Sequence, residues 1–208
     1  MLPTRPSSAS CPGRIARPRR KTGLRSSRPG RDDGAVPWTA PEVDRQHSPP
    51  VAGERASLQG WLDYHRQTLL WKCTGLTGDQ LAARPLGTSL SLLGLVRHLT
   101  YVQRVWLRER VAGMSELEVL YCTDEFPDGD IDFADGADAE ADFARYRAEC
   151  SAADEAAAGR SLDDTFVHPR LGVAFDLRWV YTHLIEEFAR HNGHADLLRE
   201  QLDGVTGE

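Results

Sequence analysis

The stretch DLRWVYTHLIEEFARHNGHADLLREQLDG, residues 176–204, decides the fold. Val180, Leu184, Glu187, His191, Ala195 and Leu198 recur every three or four residues, the spacing of one helical face. Asp176 is placed to cap the start of this helix, and Gly204 to end it in a left-handed conformation. The middle of the face is anomalous. A stripe built only for packing has no use for a carboxylate and an imidazole at its centre, because either is costly to bury unpaired. Glu187 and His191 are four apart and therefore sit one above the other. His183 extends the column one turn back, and His194 flanks it one turn on. Such a helix is built to hold something, and a metal ion is the simplest candidate.

The same period runs through three earlier stretches. Leu58, Leu62, His65, Leu69 and Cys73 predict a first helix over 53–75. Thr77 with Gln80 three residues on forms a capping-box pattern for a short turn that ends at Pro85. Leu92, Leu95, Leu99, Val102 and Trp106 predict a second helix from Ser89 or Ser91 to Gly113, with His98 beside the stripe. Phe143, Tyr146, Cys150, Ala153 and Ala157 predict a third over 138–158, with Asp138 as its cap and Gly159 as its stop. Residues 114–136 form a long acidic connection, and 160–175 read as irregular. Four amphipathic helices with little strand signal predict an all-α four-helix bundle.

Charge divides the chain unevenly. The first 50 residues hold nine of the 12 prolines and ten Lys/Arg against four Asp/Glu, a net charge of +6. The remaining 158 residues carry 15 Lys/Arg and 27 Asp/Glu, a net charge of −12. Residues 1–37 have no hydrophobic period and too few large apolar side chains to offset their ordering entropy, which predicts a disordered basic tail. No aromatic residue precedes Trp38, so the tail offers no stacking platform for a specific nucleic-acid contact. A start codon assigned too early would account for it, with Val36 as one alternative start. The expected domain is the bundle over 38–205, with Trp38 lying across its body.

No window approaches the roughly 18 apolar residues of a membrane span. Cys11, Cys73, Cys122 and Cys150 contain no C-x-x-C pair, which excludes a zinc ribbon or a dithiol redox motif. Cys73 and Cys150 fall on helix faces as small core residues. A cytoplasmic location is the expectation.

The residues that carry chemistry are His98 from the second helix with Glu187 and His191 from the last. Two ligands one turn apart share a rigid backbone, and the third arrives from a facing helix. A His₂-carboxylate set suits zinc, nickel or another divalent first-row ion and leaves a coordination position open. Both imidazoles must be neutral to ligate, so occupancy falls at acid pH. Leu184 after His183 excludes an H-E-x-x-H zincin helix, and Phe188 and Leu95, three before His191 and His98, exclude Glu-x-x-His di-iron pairs. No nucleophile elbow, P-loop or dinucleotide fingerprint is present. His183 and His194 are candidates to support the ligands from a second layer. Asp196 is expected to pair with Arg199, and Arg190 to lie on a solvated face.

LSLLGLVRHLTYVQRVW at 90–106 together with EEFARHNGHADLLRE at 186–200 resembles the actinobacterial branch of the DinB-like superfamily. That group of four-helix metalloproteins includes mycothiol-dependent maleylpyruvate isomerase and other low-molecular-weight-thiol S-transferases. The likeness extends over about 38–204. It matches the family's second-helix histidine to His98 and its last-helix ligand pair to Glu187 and His191, with Glu at the first of the pair as in the isomerase type. The resemblance implies a metal-bound site that activates the thiol of mycothiol for attack on a small electrophile. It also implies a homodimer as one assembly state. The isomerase carries an extra C-terminal domain that contributes to its active site; no counterpart is expected in residues 1–208, so isomerase activity is not carried over. Two other readings stay open on the same residues: a metal-dependent hydrolase that activates water, and a non-catalytic, metal-stabilised binding module.

Overall fold

The computed structural model describes residues 37–207. The expectations for the basic tail, its disorder and Val36 as a start, fall on residues outside these. In chain order the elements are α1 (Glu54–Trp71), α2 (Gly78–Ala82), α3 (Leu92–Gln103), which runs on as a π-helical segment Arg104–Val111, and α4 (Gly129–Asp132). A 3₁₀ turn Gly136–Asp138, α5 (Ala139–Ala157), β1 (Thr165–Val167), β2 (Ala174–Asp176) and α6 (Leu177–Asp203) follow. The four long helices form the predicted bundle: α6 packs on α1 and α3, and α5 packs on α3. Every predicted stripe contributes to one core, including Leu62, Leu69, Leu95, Leu99, Phe143, Tyr146, Val180, Leu184 and Leu198. Cys73 is fully buried within it, and Cys150 packs at its edge.

The helix ends follow the local chemistry. Asp176 accepts a hydrogen bond from the Trp179 amide at 2.7 Å, and Gly204 closes α6 at φ 78°. Thr77 and Gln80 form the reciprocal capping box, and Ser91 caps α3 through the Gly94 amide. Trp38 packs edge-on against Phe143 at 5.3 Å, and Ala40 exchanges backbone hydrogen bonds with Leu76 and Gly75, so the lead-in does lie across the body.

Four expectations are corrected. Asp138 makes no side-chain cap for α5; Asp135, one turn earlier, accepts from the Ala137 amide instead and starts the 3₁₀ turn. Residues 165–176 are an antiparallel hairpin in register Phe166 with Phe175, because Thr165–Val167 and Ala174–Asp176 pair with each other rather than with a larger sheet. The first helix ends at Trp71, four residues short of Gly75, which turns the chain at φ 77°. Asp196 pairs with Lys72, while Arg199 reaches Asp203 and the carbonyls of Lys72 and Thr74. Arg190 pairs with Glu186 on the exposed face, as expected.

Candidate metal centre

On α3 the stripe of leucines turns Leu95 and Leu99 into the core and leaves His98 at its edge, with 18% of its side chain exposed. On α6 the corresponding stripe carries Glu187, which is 3% exposed. The two helices meet so that the His98 and His191 rings lie 4.8 Å apart between centroids. His98, Glu187 and His191 each offer one ligand atom, and the three atoms lie within 4.8 Å of one another. The three residues singled out on two helices are thus brought together.

Glu187 is a buried carboxylate set among imidazoles. Its ion-pair partners among the described residues are imidazoles rather than an arginine or lysine: His191 Nε2 at 3.6 Å and His183 Nε2 at 3.9 Å. The His191 imidazole is the main reason the carboxyl is held below the usual range, against burial, which pushes it up. Glu187 therefore stays ionised at neutral pH. His183 stacks on Trp179 at 4.9 Å, and burial lowers its pKa, so its ring is neutral there. His194 Nδ1 approaches His191 Nδ1 at 3.3 Å, and burial lowers its pKa too. His183 and His194 both border the cluster.

The acidic connection contributes a residue that the sequence reading did not single out. Asp130, on α4 and 4% exposed, places Oδ2 2.7 Å from His98 Nδ1. A carboxylate on one imidazole nitrogen fixes the tautomer and leaves Nε2 as the free lone pair, the arrangement that orients histidine ligands in metal sites. Arg97, beside His98, holds the same short helix by donating to the Gly129 carbonyl at 3.3 Å. Two glycines allow the close approach. A Cβ on Gly94 would meet Ile131 Cα at 3.5 Å and Ser91 Oγ at 3.1 Å, and one on Gly129 would run into the Tyr121 carbonyl oxygen. Six acids crowd residues 123–136, and nothing in their order marks Asp130; only the general need of a ligating histidine for a carboxylate partner pointed to one of them.

The donor set fits a divalent ion: two imidazoles and a buried carboxylate, one imidazole pre-oriented by Asp130. A separate cavity of about 410 Å³ lies between the lead-in, α1 and α5, lined by Arg66, Asp63, Tyr146 and Cys150 among others. None of the three clustered residues lines it.

A four-helix bundle of this kind is the fold of the DinB-like class. Within that class the chain belongs to the mycothiol-S-transferase family, whose sequence model matches residues 57–204 and so contains every residue of the cluster. No curated protein and no solved structure matches the chain. No helix among the described residues is long and apolar enough to cross a membrane.

Proposed function

We propose that this protein binds one divalent first-row ion, zinc by its donor set, through His98 Nε2, Glu187 and His191. With it the chain transfers the thiol of mycothiol to a small electrophile. The observation that carries the reading is the convergence of these three side chains within 4.8 Å, inside the residues that match a mycothiol-S-transferase family.

When bound, such an ion supplies a Lewis-acid position that lowers the pKa of a thiol and favours its thiolate. The chain's own residues do the rest. Asp130 holds His98 with Nε2 inward, and Glu187, ionised, supplies the negative charge that offsets the cation. His183, neutral through burial, with Nε2 3.9 Å from Glu187 and Nδ1 3.6 Å from Glu186, takes the thiol proton on its unprotonated ring nitrogen. The C–S bond then forms as the leaving group departs from the electrophile's carbon with its electron pair. Trp179, stacked on His183, keeps water from that ring.

Elemental analysis of the purified protein should find close to one zinc per chain, and conjugation of a bimane probe to mycothiol should depend on it. Bacillithiol and glutathione should be poor replacements. Glu187→Ala should lose both metal and transfer while keeping its helical circular dichroism. Metal-dependent turnover with no thiol present would instead identify a hydrolase. Full transfer by Glu187→Ala would end the proposal.

A further inference from the structure

Trp106 and Arg110 belong to neither the ligand set nor the proton acceptor, yet both are held in an unusual way. They lie four residues apart on the π-helical segment Arg104–Val111. Its geometry is rare in runs this long and recurs at functional sites. The Arg110 guanidinium carbon sits 4.0 Å from the centroid of the Trp106 ring. Trp106 is 6% exposed, and its indole Nε1 is buried with no hydrogen-bond partner. Arg110 Nη1 is in the same condition. Buried donors are nearly always satisfied, and two neighbouring ones left open call for an acceptor.

The charge is only partly offset as well. Burial pushes the Arg110 guanidinium down to about 10, with Glu109 pulling the other way and Arg170 adding repulsion. Arg178, hydrogen-bonded to Glu54 and Asp163, moves upward instead. An arginine paired with an acid behaves as Arg178 does; Arg110 has no such acid among the described residues.

Position gives these open donors a use. The Trp106 ring is 4.8 Å from the His183 ring, and His183 Nε2 is 3.9 Å from Glu187 Oε1. The donors therefore stand on the same α3–α6 seam that carries His98 and Glu187. Phe175 and Trp179, 4.5 Å apart, extend an aromatic wall beside Trp106.

We infer that Arg110 and the Trp106 indole N–H form a subsite for a carboxylate carried by the electrophile, whose planar body lies along the Trp106–Trp179 wall. The assignment to the electrophile rests on the transferase reading. Mycothiol carries no carboxylate, its cysteine carboxyl being tied up as an amide, so the acid must come from the other reactant. The Arg110 guanidinium, stacked 4.0 Å from the Trp106 ring centroid, and the Trp106 indole N–H are neighbouring unpaired donors, and a carboxylate that accepts from the guanidinium makes a charge-assisted hydrogen bond. Small planar acids with a displaceable or conjugated electrophilic carbon are the substrate class this favours.

Binding of benzoate, with benzamide as the neutral control, tests this without thiol and without turnover. Calorimetric titration of the full chain after chelator treatment removes any contribution from a metal–carboxylate contact. Benzoate should bind at least tenfold more tightly than benzamide, and Arg110→Met should remove that preference while leaving the benzamide affinity alone. Arg110→Lys, which keeps the charge but not the fork, should retain a weakened preference, and Trp106→Phe should reduce it further than it reduces benzamide binding. Equal affinity of the wild type for both probes would overturn the inference, as would an unchanged benzoate affinity in Arg110→Met. Glu187→Ala separates the two claims: it should abolish thiol transfer and leave benzoate binding intact.

Discussion

Asp130 governs the candidate centre through one contact, the 2.7 Å approach of its Oδ2 to His98 Nδ1. Without it the imidazole can rotate or present Nδ1 as its lone pair, and the cluster loses a pre-oriented donor. Asp130→Ala should therefore weaken metal binding by about 10–100-fold, the usual cost of removing such a partner. Asp130→Asn keeps an oxygen acceptor in place and should cost less. Competition against a chromogenic chelator measures both, and an unchanged affinity in Asp130→Ala would mean the contact serves packing alone. Glu187 and His191 were legible in the sequence because a helix period places them where only apolar side chains belong. Asp130 was not, because a loop has no period: six acids share residues 123–136, and tertiary packing through Gly94 and Gly129 alone decides which one reaches His98.

The same distinction separates the elements. The long helices and most of their caps could be read because capping and periodicity are local, down to Asp176, Ser91 and Gly204. The π-helical segment could not, since Trp106 faces the core whether the helix is wound as α or as π. The β1–β2 hairpin was missed because its strands are three residues each and expose Val167, with Val173 exposed just before β2, leaving no alternation to read. What holds its loop is His168, 7% exposed, whose Nδ1 accepts from the amides of Arg170 at 3.2 Å and Leu171 at 3.3 Å. Burial lowers its pKa below 6.5, and Arg110 and Arg170 lower it further. The unfolded chain thus takes the proton first. The hairpin's stability is full above about pH 6.5 and declines as pH falls from there toward the lower folded value. In ¹H–¹⁵N spectra the Arg170 and Leu171 amides should shift together with His168, at a midpoint below 6.5, and His168→Asn should abolish the transition. A midpoint at or above 6.5 would contradict the two amide contacts.

Across the whole molecule the bundle's two sides differ in how deeply the acids of their ion pairs are buried. The α1–α6 side joins apolar stripes to neutral hydrogen bonds such as Tyr181 to Gln59 and Asn192 to the His65 carbonyl, and its ion pairs, Glu54 with Arg178 and Asp196 with Lys72, use acids that reach solvent. The α3–α5 side is laced with buried ion pairs: Arg97 with Asp142, and both Arg104 and Arg108 with Glu149. This side also fixes the acidic connection, since Arg104 donates to the Glu118 carbonyl at 2.6 Å and Tyr121 to Asp142 at 2.8 Å. Glu149 is the common partner of two guanidiniums, with only 4% of its side chain exposed. Glu149→Ala leaves Arg104 and Arg108 facing each other with no acid between them, and breaking a buried pair in this way costs about 3–5 kcal/mol. Urea denaturation should show that loss, whereas Glu149→Gln, which still accepts hydrogen bonds, should show a smaller one. The zinc stoichiometry of Glu149→Ala should stay close to that of the wild type in folded protein, because Glu149 sits on the α5 face of α3 and contacts none of His98, Glu187 or His191. Glu187→Ala should do the reverse, losing metal with little change in the urea midpoint of the metal-free chain. Each acid is buried and each looks alike in a list of inward carboxylates. The opposite responses follow from the partner: arginine side chains already neutralise Glu149, while the ion-pair partners of Glu187 among the described residues are imidazoles.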